Sequence, residues 1–110
     1  MNPALRSYSN DEATIGQTIP LDQAKTWTAT YQHDNPHKLR SVYFSSSVFT
    51  EFIAQPNTKG IRLYLANNGS ADTMVLVSAN SSTDLVDDGN TVFDNGQDTP
   101  PFPVISPLQH

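Results

Sequence analysis

The stretch from Gly60 to Ala79 constrains this chain most. It reads GIRLYLAN, a polar NGSADT link, then MVLVSA. Ile61, Leu63 and Leu65 alternate with Arg62, Tyr64 and Ala66, the period-two signature of a half-buried strand. Asn68-Gly69 supplies residues that tolerate positive φ in a turn, and Met74 to Val77 is a second apolar run. The stretch predicts a β-hairpin. It carries no catalytic or cofactor motif, so the rest of the chain has to be read for what this hairpin packs against.

Helical patterns stand before it. Thr18-Ile19-Pro20-Leu21-Asp22 reads as a helix start, with Pro20 pre-organised for the first turn and Asp22 near the positive end of the dipole. Leu21, Ala24, Trp27, Thr28 and Tyr31 follow at helical spacing, and the helix should end before Asn35-Pro36. Trp27 is the largest apolar surface on that face and reads as a core anchor rather than a ligand platform. Ser41-Val42-Tyr43-Phe44 is short and β-prone. Ser45, Ser46 and Ser47 are natural N-cap residues, and Val48, Phe49, Phe52 and Ile53 form an apolar stripe that should end by Pro56. Pro56 to Gly60 reads as a turn into the hairpin.

The flanks are irregular. Met1 to Gln17 is polar and reads as an extended arm, with Ala13 to Ile15 as a short edge strand. After the hairpin, Leu85-Val86 and Thr91-Val92-Phe93 flank Asp87-Asp88-Gly89-Asn90, a pattern that permits a small irregular hairpin. Asn95-Gly96 is a further turn. Pro100, Pro101, Pro103 and Pro107 then rule out a central strand or a helix, leaving an extended, polyproline-like tail bearing Phe102, Val104, Ile105 and Leu108.

These readings predict an α+β fold: two short helices packed on a small antiparallel sheet centred on the 60–79 hairpin, with extended N- and C-terminal arms. Residues 1–17 form the first arm, 18–98 a single domain and 99–110 the Pro-rich arm. The expected core is Leu21, Ala24, Trp27, Tyr31, Phe44, Val48, Phe49, Phe52, Ile53, Ile61, Leu63, Leu65, Leu76 and Val77, with Val75 facing in if the register shifts by one.

The element order resembles that of a family of small uncharacterised bacterial proteins. Ile19 to Tyr31 (IPLDQAKTWTATY), Ser41 to Gln55 (SVYFSSSVFTEFIAQ), Gly60 to Ala66 (GIRLYLA) and Met74 to Val77 (MVLV) carry the likeness, which spans a little over half the chain. In that family a Leu-x-x-Ala-x-x-Trp-Thr helix precedes an aromatic-rich segment and a Gly-Ile-Arg-x-Tyr strand. Its members often end in a short cysteine-containing segment, whereas this tail has none. The resemblance implies the order of elements and implies no activity, cofactor or site residue.

Composition excludes several functions. The 110 residues carry a net charge of −5 and only 15% charged residues. No Lys or Arg lies beyond Arg62, so no basic stripe is present to displace counterions from phosphate. Nucleic acid and anionic membrane are therefore not expected partners. There is no cysteine, which removes disulfides, thiolate zinc sites and Cys nucleophiles. No apolar run approaches the roughly 20 residues that span a bilayer. MNPALRSYSNDE lacks the apolar core of a Sec signal, so a cytoplasmic location is expected, although a leaderless export route leaves no such mark.

Chemistry-bearing residues are sparse. His33 and His37 lie four apart, a spacing that chelates a divalent metal on a helix, but Pro36 stands between them; two solvated loop histidines are the simpler reading. Asp84, Asp87, Asp88, Asp94 and Asp98 suggest a hard-cation loop, yet Val86 and Asn95 occupy positions where calcium loops need oxygen ligands of another kind. An acidic surface loop is the simpler reading there. No serine sits in a nucleophile elbow, and no Gly-rich phosphate loop exists. Glu51, the one carboxylate beside an apolar stripe, falls on the polar side. No catalytic residue and no cofactor is expected.

Arg62 and Tyr64 share the strand face opposite Ile61, Leu63 and Leu65. That face is either the solvent side of the sheet or an interface, since Arg and Tyr are enriched at contact hot spots. With Phe102, Val104, Ile105 and Leu108 they form the expected interface. The first functional expectation is a non-enzymatic structural or interaction subunit that assembles with itself, as a closed oligomer or a filament, or docks in a larger complex through its arms. The alternative is a small-ligand or divalent-metal-binding domain.

Overall fold

The computed structural model describes residues 12–86, 92–94 and 96–110. The fold is α+β, with two helices and two small antiparallel sheets. Helix α1 spans Leu21–Asp34 and α2 Ser46–Ala54; the strands are β1 (Ser41–Tyr43), β2 (Gly60–Asn67), β3 (Asp72–Ala79), β4 (Val92–Phe93) and β5 (Gln97–Thr99). One sheet runs β2-β3-β4 and the other pairs β1 with β5. Most of the proposed N-terminal arm, and Asp87-Asp88-Gly89-Asn90, lie outside the described residues.

The hairpin forms where its pattern places it. β2 and β3 pair without interruption from Gly60↔Ala79 to Asn67↔Asp72. The link closes by local hydrogen bonds: the Asn68 N–H donates to the Ala71 carbonyl, and the Asn68 side-chain oxygen accepts from the Ser70 and Ala71 N–H groups. Gly69 sits at φ +96°, where a side chain would be strained, while Asn68 keeps a negative φ. The turn thus needs one left-handed residue, not two.

Both helices begin and end as their signals require. Pro20 is the N-cap of α1, and its carbonyl accepts from the Gln23 and Ala24 N–H groups at 3.1 Å. Ser45 is the N-cap of α2, but its hydroxyl meets the Ser47 hydroxyl at 2.8 Å and caps no backbone N–H. Ala13 to Ile15 form no edge strand; Glu12–Thr14 is a short 3-10 turn. Val92 and Phe93 pair with Val77 and Leu76 of β3 rather than with Leu85-Val86, and Asp84 bridges to Ala79. β3 is thereby flanked on both sides.

The core is narrower than the apolar pattern predicts. Phe52, Leu76, Val77, Ala79 and Leu85 form it. Phe52 meets Phe93 edge-on, with ring centroids 4.8 Å apart, and Phe93 stands opposite Leu76. Helix α2 therefore covers the sheet face that carries Leu76. Leu21, Tyr31, Phe49, Ile53, Leu63 and Leu65, all expected inside, are exposed. The cause is coverage: α2 reaches β3 and β4 through Phe52, while Leu63 and Leu65 on the same face of β2 stay exposed.

Helix α1 faces something other than the sheet. Gln32 is its buried residue, with Ala24, Trp27 and Thr28 half-buried. The Gln32 side-chain amide donates to the Leu108 carbonyl at 2.9 Å, and its oxygen accepts from the His110 N–H at 2.8 Å. The end of the Pro-rich tail thus docks on α1 of its own chain. The tail is not one extended rod, since it turns at 100–101 and again near 107–108.

Three unforeseen residues join the two sheets. Gln97–Thr99 carries no apolar residue, yet it pairs with β1, Val42 opposite Asp98. Thr99 is buried, with its hydroxyl donating to the Phe102 carbonyl at 2.6 Å. The Thr73 hydroxyl donates to Asp98 at 3.2 Å and ties β3 to β5.

Candidate functional site

β2 is the end strand of its sheet, and its outer edge has no partner among the described strands. Ile61, Leu63 and Leu65 lie on the face that α2 leaves uncovered at this edge. Leu63 is 53% and Leu65 78% exposed. This is a sheet edge with an adjoining apolar strip, the arrangement that accepts an additional strand.

Two grooves border the strip. One, of about 480 Å³, runs along Ile61 to Leu63 with Glu12 and Ile15 on its other wall. A second, of about 390 Å³, lies between Leu65 and the Tyr31 and Asn35 end of α1. The Glu12 carboxylate is held in place by accepting from the Ser81 N–H at 3.0 Å.

The opposite face of β2 is occupied. The Arg62 guanidinium pairs with the Asp84 carboxylate and also donates to the Asn80 carbonyl at 2.8 Å. The Tyr64 hydroxyl donates to the other Asp84 oxygen at 2.5 Å. The Tyr64 hydrogen bond, with help from Arg62, holds the Asp84 carboxyl below its usual range; the same bond to Asp84 pushes the Tyr64 hydroxyl up. Arg62 and Tyr64, two of the expected interface residues, are thus engaged within their own chain. Tyr64 keeps nearly half its surface open.

The remaining expected residues are scattered. Phe102 and Ile105 of the tail are exposed, Ile105 fully, whereas Val104 is partly covered and Leu108 is half-buried beside Gln32. His33 Nδ1 lies 3.2 Å from the carboxylate of its neighbour Asp34 on an exposed helix end. His37 lies in the turn beyond that end. Asp84 is taken by Arg62 and Tyr64 and Asp98 by Thr73, while Asp87 and Asp88 lie outside the described residues. No group of three His, Cys, Asp or Glu among the described residues is placed to hold a metal ion.

Sequence reasoning missed one pocket. Thr28, Gln32, Arg40, Val104 and Leu108 line a cavity of about 220 Å³ beneath the tail. The Arg40 backbone N–H donates to the Thr99 carbonyl at 2.7 Å, while its buried Nε has no hydrogen-bond partner. Nothing in the local sequence marks Arg40, because its neighbours come from the other end of the chain.

Among the described residues no helix is long and apolar enough to cross a membrane. Comparison with protein-family models, curated proteins and solved structures finds no match for this chain.

Proposed function

We propose that this chain is a non-enzymatic structural or interaction subunit that associates with itself. The observation that carries the reading is the uncovered edge of β2 with Leu63 and Leu65 exposed on it. The exposed Phe102 and Ile105 of the tail supply a second apolar surface, suited to a neighbouring subunit or a larger complex. A nucleic-acid or membrane partner has no support from the charge of the chain.

The energetics favour a weak, adjustable contact. Leu63 and Leu65 together leave somewhat more than one full leucine side chain in water. Covering both completely in two copies would return at most about 4–8 kcal/mol at about 1.5–3 kcal/mol per side chain. Association costs about 4–15 kcal/mol in lost freedom. The two are comparable, so the contact forms as concentration rises and strand hydrogen bonds decide its strength. A cytoplasmic location belongs to the same proposal, since a fold without cysteine asks nothing of an oxidising compartment.

Light scattering on the full chain over a wide concentration range tests this. The expected result is a mass that climbs with concentration. A constant 12.1 kDa at every concentration would overturn it.

A further inference from the structure

Resting on that reading of self-association, we propose that two copies pair through β2, antiparallel, with Leu63 on the two-fold axis. The pairing joins two three-stranded sheets into one continuous sheet of six.

Backbone phase restricts the choice first. In an antiparallel ladder, directly bonded residues alternate with unbonded ones. The Asn68 N–H bond to the Ala71 carbonyl fixes that phase, so Ala66, Tyr64 and Arg62 bond inward to β3. On the far side of β3 the Ser78 carbonyl accepts from the Leu85 N–H, which agrees with the same phase. Ile61, Leu63 and Leu65 therefore turn their N–H and C=O groups toward the open edge. A second copy must meet them with the same residues.

Side chains select the register. With Leu63 on the axis, Ile61 faces Leu65 of the second copy, Leu63 faces its own equivalent, and Arg62 faces Tyr64 of the second copy. The apolar strip then runs unbroken across the junction. Moving the axis to Arg62 sets two guanidinium groups opposite each other, which is unfavourable. Moving it to Tyr64 sets Ile61 against Asn67 and leaves an apolar residue facing an amide.

The edge also lacks the features that keep edges single. β2 has no proline, no lysine and no bulge. Its one charge, Arg62, is turned to the other face and neutralised by Asp84. No acidic residue lies on this strand, and Glu12, on the wall of the groove beside it, is engaged by the Ser81 N–H.

Cysteine cross-linking of the full chain tests the register, because the native sequence has no cysteine. A bonded pair on a two-fold axis has Cα atoms about 5.5 Å apart, inside the disulfide range of about 4.4–6.8 Å. At concentrations where the wild type is associated, Leu63→Cys should become a disulfide-linked dimer in a glutathione buffer. Leu65→Cys is the control, since it is more exposed than Leu63 but lies far from its own equivalent in this register. It should cross-link at least about tenfold more slowly, for want of that Cα spacing. An equal mixture of Ile61→Cys and Leu65→Cys should instead link as a heterodimer, which keeps the test alive if Leu63→Cys folds poorly. Cross-linking of Leu65→Cys alone as fast as Leu63→Cys overturns the register. An associated wild type in which neither Leu63→Cys nor the mixture links overturns pairing through β2 and leaves self-association standing. A wild type that stays monomeric throughout overturns both.

Discussion

Two leucines on one face of the hairpin, Leu65 and Leu76, should respond differently to truncation. Leu65→Ala removes a side chain that is already 78% in water, whereas Leu76→Ala removes one that is fully enclosed under α2. Full burial of a leucine is worth about 1.5–3 kcal/mol, so the remaining fifth of Leu65 contributes about 0.3–0.7 kcal/mol. Leu76 loses its transfer energy and leaves a cavity beside Phe52 and Phe93, at a cost of about 2–5 kcal/mol. Urea unfolding followed by circular dichroism, at concentrations low enough to hold the chain monomeric, measures both. The self-association reading adds a second signature. Binding between native copies stabilises the wild type by mass action, so the gap between wild type and Leu65→Ala should widen as concentration rises. A loss above about 2 kcal/mol for Leu65→Ala in dilute solution would refute the reasoning, since it would place that side chain inside the monomer.

Gly96→Ala should destabilise the smaller sheet. A Cβ there would collide with Val42 and lie 2.8 Å from Phe44, and overpacking of that kind costs about 1–3 kcal/mol by thermal or urea unfolding. The Asp84 cluster sets a pH dependence at both ends. With its folded pKa lowered, Asp84 contributes stability above its ordinary value near 3.8, and that contribution is lost as pH falls below it toward the folded value. With its folded pKa raised, Tyr64 contributes below pH 10, and that is lost as pH rises through the folded value. Asp84→Asn should flatten both limbs of a stability-versus-pH curve, and an unchanged curve would count against the cluster. Gln32→Ala should free the end of the tail, losing two hydrogen bonds of about 0.5–1.5 kcal/mol each. Faster carboxypeptidase trimming of the last residues, with the body intact, is the readout.

Local pattern made the hairpin and both helices legible. Alternation across 61–65, the serines before Val48 and the prolines at 20 and 36 act through neighbours in sequence. Coverage was not legible. Periodicity says which side of β2 is apolar, but whether another element lies over it depends on the length of α2 and the path of the tail. Burial of polar residues was hidden for a related reason. Gln32, Thr73, Ser78 and Thr99 read as surface residues, yet they are enclosed. Gln32 and Thr73 find hydrogen-bond partners 76 and 25 residues away, where no local signal reaches. The same limit separated Arg62 and Tyr64 from Asp84. Their face was readable from the strand, while the carboxylate that engages them arrives from a later loop. The candidate edge was half legible: the strand and its apolar side were visible, and its lack of a neighbour was not.

The pairing of β1 with β5 has a consequence during synthesis. Ser41 must wait for Thr99 before its sheet closes, whereas Gly60 meets Ala79 almost as soon as it is made. Closing the longer loop carries the larger entropic toll and comes later. A nascent chain leaving the ribosome therefore has both strands of the hairpin before Val42 can meet Asp98. The first strand edge to be completed is then the outer edge of β2, which meets no further strand among the described residues.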